Sequence, residues 1–253
     1  MPFKTTLNYS PNFNSEKRQK KEVRFIILHY TGMKSEKAAI NRLTNIQSKV
    51  ASHYLITRSG KIINLVPDLY IAWHAGISSW KNFNSLNKNS IGIEITNPGH
   101  HFGYKKFSKK QINALINLIK FLIKKYKINK KNIIGHSDIA PDRKKDPGEK
   151  FPWEYLAKKK ISLWHNLDKK KLRKLRKKRC NKIMKRTFFK NIYNIGYSKK
   201  NKNNVKKGQY LVFLIKAFQR RFRQELIDGK IDQECLLISQ NLIQNIDLFL
   251  DYF

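Results

Sequence analysis

Two histidines and two carboxylates stand where hydrolytic chemistry could begin. His29 and His136 each end an apolar run, Glu94 interrupts a third run, and Asp146 follows His136 by ten positions. Two histidines and one carboxylate form a common catalytic zinc set, which leaves a fourth position to water and lowers the pKa of that water to about 7. The alternative is a group of unrelated structural histidines, because these residues are far apart in sequence.

The elements that must position these residues are short apolar strands. Such runs are typical of strands that are buried on both faces of a sheet. A lone carboxylate inside one of them, Glu94, needs a physical reason and therefore favours a functional role. The three runs are "VRFIILHYT" (23–31), "NSIGIEIT" (89–96) and "NIIGH" (132–136).

Helices and a hairpin separate these strands along the chain. "SEKAAINRLTNIQSK" (35–49) has apolar residues at helical spacing, and "HYLITRSGKIINLV" (53–66) predicts two strands around a Ser-Gly turn. In residues 107–128, Ser108 and Gln111 match a capping box that precedes a long apolar face. The alternation predicts an α/β fold with a central mixed β-sheet flanked by helices.

Five separate sequence blocks carry a family resemblance that spans about residues 22–165. The chain resembles the zinc-dependent N-acetylmuramoyl-L-alanine amidases of the type-2 amidase family, whose fold the peptidoglycan-recognition proteins share. The resemblance implies one Zn²⁺ per chain and hydrolysis of the bond between N-acetylmuramic acid and L-alanine, in peptidoglycan or (anhydro)muropeptides, during cell-wall turnover or recycling. The blocks, in family order, are "ILHYTG", "SHYLITRSGKIINLVP", "AWHAGIS", "SIGIEI" and "GHSDIAPDRKKDPGEKFPW".

The same resemblance assigns expected roles to individual residues. It implies the metal ligands His29, His136 and Asp146, the catalytic glutamate Glu94 and the catalytic lysine Lys144. The adjacent Lys145 is an alternative candidate for the catalytic lysine. Asp142 stands where the family often has a small residue.

Four further residues are expected to contact substrate. The resemblance places the block that contains Trp73 and His74 beside the metal, and Trp73 and Trp80 are expected to offer flat surfaces for sugar or peptide. Arg143 could bind the carboxylates of a peptide or orient the ligands, although a surface ion pair is an equal alternative.

The last third of the chain has a different composition. "IKAFQRRFRQELIDGKIDQECL" resembles the small helical peptidoglycan-binding module of wall hydrolases, and Asp232 is expected to cap a last helix. The predicted domains are an N-terminal extension (1–21), a zinc amidase domain (22–165), a basic linker (166–186) and a helical module (187–253).

Composition bounds the remaining possibilities. The 253 residues include 54 Lys+Arg against 17 Asp+Glu, a net charge of +37, but the excess is spread over the whole chain, so we favour compositional drift over a dedicated anionic partner. Two alternatives to an amidase stay open. One is a non-catalytic peptidoglycan-recognition module, and the other is a basic nucleic-acid-binding protein. Only two cysteines are present, which excludes a disulfide framework.

The sequence also carries an expectation about location. No segment has the ~18 uninterrupted apolar residues of a membrane span, and the first residues have no apolar signal-peptide region. We therefore expect a cytoplasmic protein without a membrane span. A periplasmic or wall-associated location is the alternative, because the C-terminal region resembles a wall-binding module. The oligomeric state stays open.

Overall fold

A six-stranded mixed sheet forms the centre of the protein. The computed structural model describes residues 4–199 and 205–247. The strands of this sheet are Thr5–Leu7 (β1), Phe25–Tyr30 (β3), Tyr54–Ile56 (β4), Ile62–Asn64 (β5), Ser90–Ile95 (β9) and Ile133–Gly135 (β10). Their order is β1-β5-β4-β9-β3-β10, in which only the β4–β5 hairpin is antiparallel. The predicted mixed sheet is confirmed.

Two short antiparallel ribbons lie outside this sheet. One pairs Phe13–Asn14 (β2) with Ile71–Ala72 (β6), and the other pairs Ser79–Trp80 (β7) with Phe83–Asn84 (β8). The second ribbon follows the "AWHAGIS" block directly, so it fixes the end of the loop that reaches the candidate site.

Eight helices surround the strands in the described part of the chain. The long helix Lys109–Tyr126 (α2) begins after Ser108. The Ser108 hydroxyl accepts from the Gln111 backbone N–H and the Gln111 side-chain oxygen accepts from the Ser108 backbone N–H, so the predicted capping box is confirmed. The helix predicted over 35–49 ends early, at Thr44. The helices are Glu36–Thr44 (α1), Lys109–Tyr126 (α2), His136–Ile139 (α3), Trp153–Lys158 (α4), Lys169–Leu175 (α5), Lys182–Ile195 (α6), Lys207–Phe222 (α7) and Gln233–Asp247 (α8).

Strand β3 is buried on both faces, as its apolar sequence predicts. Because side chains alternate along a strand, Ile26 and Leu28 point to one face and pack in the cluster that contains α2. Phe25 and Ile27 point to the other face and join a cluster with residues of α6, α7 and α8. The C-terminal helices therefore supply the second layer of the central sheet.

This packing bears on the predicted division into domains. The predicted linker 166–186 contains α5, and its boundary with the predicted module falls inside α6. One apolar cluster includes Phe25 of the sheet, Phe188 of α6 and Phe218 of α7. Asp232 caps α8 as predicted, because its carboxylate accepts from the Cys235 backbone. The two-domain division itself stays a prediction.

Removal of residues 166–253 tests that division. A tethered module could be removed without harm, but here removal would expose an apolar face in which each large side chain contributes about 1.5–3 kcal/mol by its burial. Since whole domains are stable by only about 5–15 kcal/mol, we expect the shortened chain to lose cooperative folding. Urea denaturation followed by tryptophan fluorescence measures this. A cooperative transition at the midpoint of the full-length chain would support a tethered module instead.

Candidate metal centre and active site

Parallel strand pairing brings the predicted site residues to one edge of the sheet. His29 on β3 is directly opposite Glu94 on β9, and Leu28 is opposite Gly135 on β10. His136 follows Gly135 as the first residue of α3. Because the carboxyl ends of parallel strands meet at the same edge, two histidines and a glutamate converge there from three adjacent strands.

Three buried atoms of His29, His136 and Asp146 form a nearly equilateral triangle. The two Nδ1 atoms are 2.9 Å apart, and Asp146 Oδ2 lies 3.0 Å from each of them. Ligand atoms around a tetrahedral zinc ion with bonds of ~2.0–2.2 Å lie ~3.3–3.5 Å apart, so a small expansion of this triangle would accommodate the ion. These three residues could therefore hold a metal ion.

A chain of hydrogen bonds fixes the tautomer of His29. The Leu86 carbonyl can only accept, so the Ser90 hydroxyl donates to it at 2.5 Å and accepts from His74 Nε2 at 3.2 Å. His74 Nδ1 is then unprotonated and accepts from His29 Nε2 at 3.0 Å. The lone pair of His29 Nδ1 consequently faces Asp146 and His136.

His136 is held in the same tautomer by the backbone. Its Nε2 donates to the Ala75 carbonyl at 3.1 Å, which leaves its Nδ1 unprotonated as well. Burial lowers the pKa of His29 to about 4, so this ring is neutral at pH 7. Three electron-rich atoms in mutual contact fit a cation at their centre.

His74 occupies a position that requires a glycine on the neighbouring strand. A Cβ atom at residue 92 would lie 2.5 Å from the His74 ring, so Gly92 of β9 leaves the space in which that ring packs. The His74 and His29 rings meet edge to face at a centroid distance of 5.2 Å. His74 was predicted to line the pocket, and its buried ring also supports a candidate ligand directly.

Glu94 combines a raised pKa with an unsatisfied carboxylate oxygen. Burial, followed by the nearby charge of Asp146, raises the pKa of Glu94 to about 8. Its Oε2 atom is buried and has no hydrogen-bond partner among the described residues. Such a carboxyl group can both accept and release a proton near neutral pH, which is what general acid–base catalysis requires.

A cavity of about 480 Å³ opens above the histidines and contains both candidate lysines. Lys144 is partly buried whereas Lys145 is exposed. The positive charge of Lys144 also acts on Glu94, where it opposes the rise in pKa. These observations favour Lys144 over Lys145 as the cation beside the reacting groups. Arg42 and His101 also line this cavity, and neither was predicted from the sequence.

Some of the predicted substrate-binding residues line the cavity and others do not. The Trp73 indole donates to Asn14 and does not line the cavity. Arg143 lines it, but its Nε and Nη2 atoms donate to backbone carbonyls, among them that of Ile77. The expectation for Trp80 is wrong, because this ring is 1% exposed and packs against Tyr197.

Asp138 ties the helix of His136 to the C-terminal helices. One carboxylate oxygen accepts from the Gly135 backbone at 2.8 Å and from Arg221 of α7 at 2.7 Å, while the other accepts from the Tyr197 hydroxyl at 2.6 Å. The ion pair is buried, with side-chain exposures of 2% for Arg221 and 0% for Asp138. Neither Arg221 nor Tyr197 was predicted as a partner of Asp138, because both are distant in sequence and 83 positions separate Arg221 from Asp138.

Comparison with known proteins identifies the family. The N-acetylmuramoyl-L-alanine amidase family matches residues 19–149. N-acetylmuramoyl-L-alanine amidase AmiD of Escherichia coli is 33% identical over 234 residues, which cover 88% of this chain and 83% of AmiD. The chain belongs to the N-acetylmuramoyl-L-alanine amidase family. It is therefore an amide hydrolase by class, and the family resemblance of its sequence is confirmed.

Solved structures extend the similarity to the C-terminal helices. AmiD in complex with anhydro-N-acetylmuramic acid-L-Ala-D-gamma-Glu-L-Lys has a TM-score of 0.77 and 32% identity over 92% of this chain and 93% of that one. AmpDh3 of Pseudomonas aeruginosa has a TM-score of 0.76 and 32% identity, with 92% and 97% covered. By contrast, 1,6-anhydro-N-acetylmuramyl-L-alanine amidase AmpD of Haemophilus influenzae is 40% identical over 44% of this chain and 59% of AmpD.

Glu94→Gln tests the proton-transfer role. The amide keeps the size of the side chain but cannot take a proton, so we expect at least a ~100-fold lower kcat on a muropeptide with unchanged metal content. Glu16→Gln, a matched change at an exposed position, should leave kcat unchanged. Loss of metal from the Glu94 variant would show that this residue is a ligand instead.

Arg221→Met tests the buried ion pair. The substitution leaves the Asp138 carboxylate buried without its cation, which typically costs about 3–5 kcal/mol of unfolding free energy. Lys158→Met is the control, because Lys158 pairs with Glu154 at the surface and is 70% exposed; it should have a much smaller effect. Urea denaturation of both variants measures the difference. Equal midpoints for the two would mean that Gly135 and Tyr197 satisfy Asp138 alone.

Proposed function

We propose that this protein hydrolyses the amide bond between N-acetylmuramic acid and L-alanine in muropeptides, with one zinc ion per chain held by His29, His136 and Asp146. The observation that carries the proposal is the triangle of their three electron-rich atoms, with separations of 2.9–3.0 Å, beside the unsatisfied carboxylate of Glu94. Two imidazoles and one carboxylate suit zinc better than magnesium or calcium, which prefer oxygen ligands.

The reaction requires a nucleophile, a proton carrier and a stabiliser of developing charge. Zinc in such a site supplies the activation of water and the polarisation of the amide carbonyl. Glu94 takes a proton from the attacking water as the new C–O bond forms. It then delivers that proton to the alanine nitrogen as the C–N bond breaks, so the carboxyl group returns to its starting state.

Lys144 is assigned to the carbonyl oxygen. A fixed cation that faces a developing oxyanion is worth up to ~3–4 kcal/mol, by analogy with oxyanion-hole donors. The partial burial of Lys144 supports this assignment, because a cation in a poorly hydrated cavity interacts more strongly than one in bulk water. His74 and the Ala75 carbonyl keep both histidines in the tautomer that leaves Nδ1 available.

A non-catalytic peptidoglycan-recognition module is the second candidate function. Such a module needs the groove but not the complete ligand set. Here His29, His136, Asp146, Glu94 and a lysine are present together, and Glu94 has the raised pKa that a proton carrier uses. These features favour catalysis over binding alone.

The anhydro form of the muropeptide is the first substrate to test. The AmiD complex contains an anhydro-muramyl tripeptide, and AmpDh3 has been solved with an anhydromuramic pentapeptide. AmpD is named for the same anhydro sugar. We infer that this chain accepts anhydro-muropeptides, and a comparison of kcat/KM on anhydro-muropeptides and on intact wall fragments decides between these two substrates.

Zinc removal tests the metal. We expect the purified protein to contain about one zinc per chain by elemental analysis, and a chelator to abolish hydrolysis until zinc is restored, because a water-activating site has no substitute for its metal. Asp146→Asn should lose zinc, whereas Glu94→Gln should keep it. Full activity after verified removal of zinc would refute the mechanism.

The compartment follows from the sequence expectation alone. Among the described residues, no helix is both long and apolar enough to cross a membrane. We propose a cytoplasmic location. Fractionation of the native protein between cytosol, periplasm and wall distinguishes this from the wall-associated alternative.

A further inference from the structure

A second groove lies against the catalytic cavity and is walled partly by the C-terminal helices. It has a volume of about 560 Å³. One wall is the loop of Arg143, Lys144 and Lys145, which also lines the catalytic cavity, so the two spaces are neighbours across that loop. The other wall is α7, which presents Lys216 and Arg220 one helical turn apart.

The groove carries an excess of positive charge. Five cationic side chains line it, against the two carboxylates of Asp142 and Glu149. Glu149 already accepts from His100 at 3.1 Å, which satisfies part of its charge. An anion in this space would therefore meet more uncompensated cations than carboxylates.

Arg220 is the unusual member of this wall. It is 8% exposed, yet its guanidinium makes no hydrogen bond to a described residue, and its buried Nε has no acceptor. Glu149 Oε2 lies 3.8 Å from that Nε, beyond hydrogen-bond distance. A guanidinium has five N–H donors, so burying one without acceptors is costly unless a ligand supplies them.

The other buried arginines of the described chain donate hydrogen bonds through their terminal nitrogens, although the Nε atoms of Arg221 and Arg223 also lack an acceptor. Arg221 donates to Asp138 and to a backbone carbonyl, Arg223 donates to Asp228 and Asp232, and Arg18 donates to three backbone carbonyls. Arg220 differs from these arginines because no nitrogen of its guanidinium donates to a described residue. Its natural acceptor is a carboxylate, which a guanidinium can bind through two parallel hydrogen bonds.

The substrate class contains such a carboxylate. In the peptide of the AmiD complex, D-glutamate is linked through its γ-carboxyl group, so its α-carboxylate is unconjugated, and the last residue has a terminal carboxylate. Three residues in extended form span roughly 10 Å, so the stem peptide extends well beyond the reacting amide.

We propose that the groove between the loop of residues 143–145 and α7 binds a carboxylate of the stem peptide, with Arg220 and Lys216 as its receptors. This rests on the proposed function for the identity of the ligand. In consequence the C-terminal helices contribute directly to the substrate site. Because these contacts are remote from the breaking bond, they act on binding rather than on the chemical step.

Isothermal titration with peptide products tests the proposal without requiring catalysis. The full-length, zinc-loaded protein is titrated with L-Ala-D-γ-Glu-L-Lys and with two forms in which either the glutamate α-carboxylate or the terminal carboxylate is an amide. We expect one of the two amides to bind about tenfold more weakly, the effect of losing a charge-assisted contact. The weaker amide identifies which carboxylate enters the groove.

Variants link that loss to the groove. Arg220→Gln should bind the unmodified tripeptide about tenfold more weakly and should no longer distinguish it from the weaker amide. Lys216→Gln should act in the same direction, and Lys216→Glu more strongly. Lys207→Gln on the same helix, exposed and outside the groove, should bind like the parent protein. If Arg220→Gln fails to fold by circular dichroism, the two Lys216 variants decide.

Three results would overturn the proposal. They are the absence of tripeptide binding to the parent protein, equal affinity for all three peptides, and an equal loss for all three in the Arg220 or Lys216 variants. A parent protein that shows the expected binding pattern but no muropeptide hydrolysis would refute the proposed activity and leave the groove assignment standing. The two failures are therefore distinguishable.

Discussion

Parallel hydrogen bonding of β3 to β9 and β10 fixes where the candidate reacting groups lie. The register that sets His29 opposite Glu94 also brings the end of β10, and hence His136, to the same edge. A slip of one residue in either pairing would turn a side chain to the opposite face of the sheet. The apolar residues of these strands hold the register, because each face of β3 packs in its own cluster. The chemistry thus depends on packing that contains no reactive group.

The C-terminal helices are bound to this arrangement by charge as well as by apolar contact. Asp138 and Arg221 form a buried ion pair, and such pairs rarely add net stability, since desolvation offsets much of their attraction. The pair instead fixes the position of α7 relative to the start of α3, which carries His136. The Arg221 guanidinium also stacks on Trp153 at 4.5 Å, so its position is fixed from a second side.

The large positive charge has two different components. Most cations lie in segments of every kind and are exposed, which agrees with compositional drift. A few occupy defined positions. Arg18, Arg221 and Arg223 are buried and donate hydrogen bonds within the protein, whereas Arg220 is buried and no nitrogen of its guanidinium donates to a described residue. Total charge therefore says little about ligands, and the hydrogen-bond state of individual cations says much more.

The sequence by itself determined the features that depend on near neighbours in the chain. Capping of α2 by Ser108 and Gln111, burial of β3 on both faces, and the alternation of strands and helices all arise from local patterns, so they could be predicted. The candidate ligands also came from the sequence, through residue types and a family resemblance.

Only the tertiary structure decided which distant side chains meet. Trp80 is buried against Tyr197. His74 forms a hydrogen bond with His29, and Asp138 forms an ion pair with Arg221. The tertiary structure also placed α5 and the start of α6 within the predicted basic linker. The physical reason is that such contacts depend on how whole elements pack, and no spacing within a single segment encodes the position of a residue 83 places away.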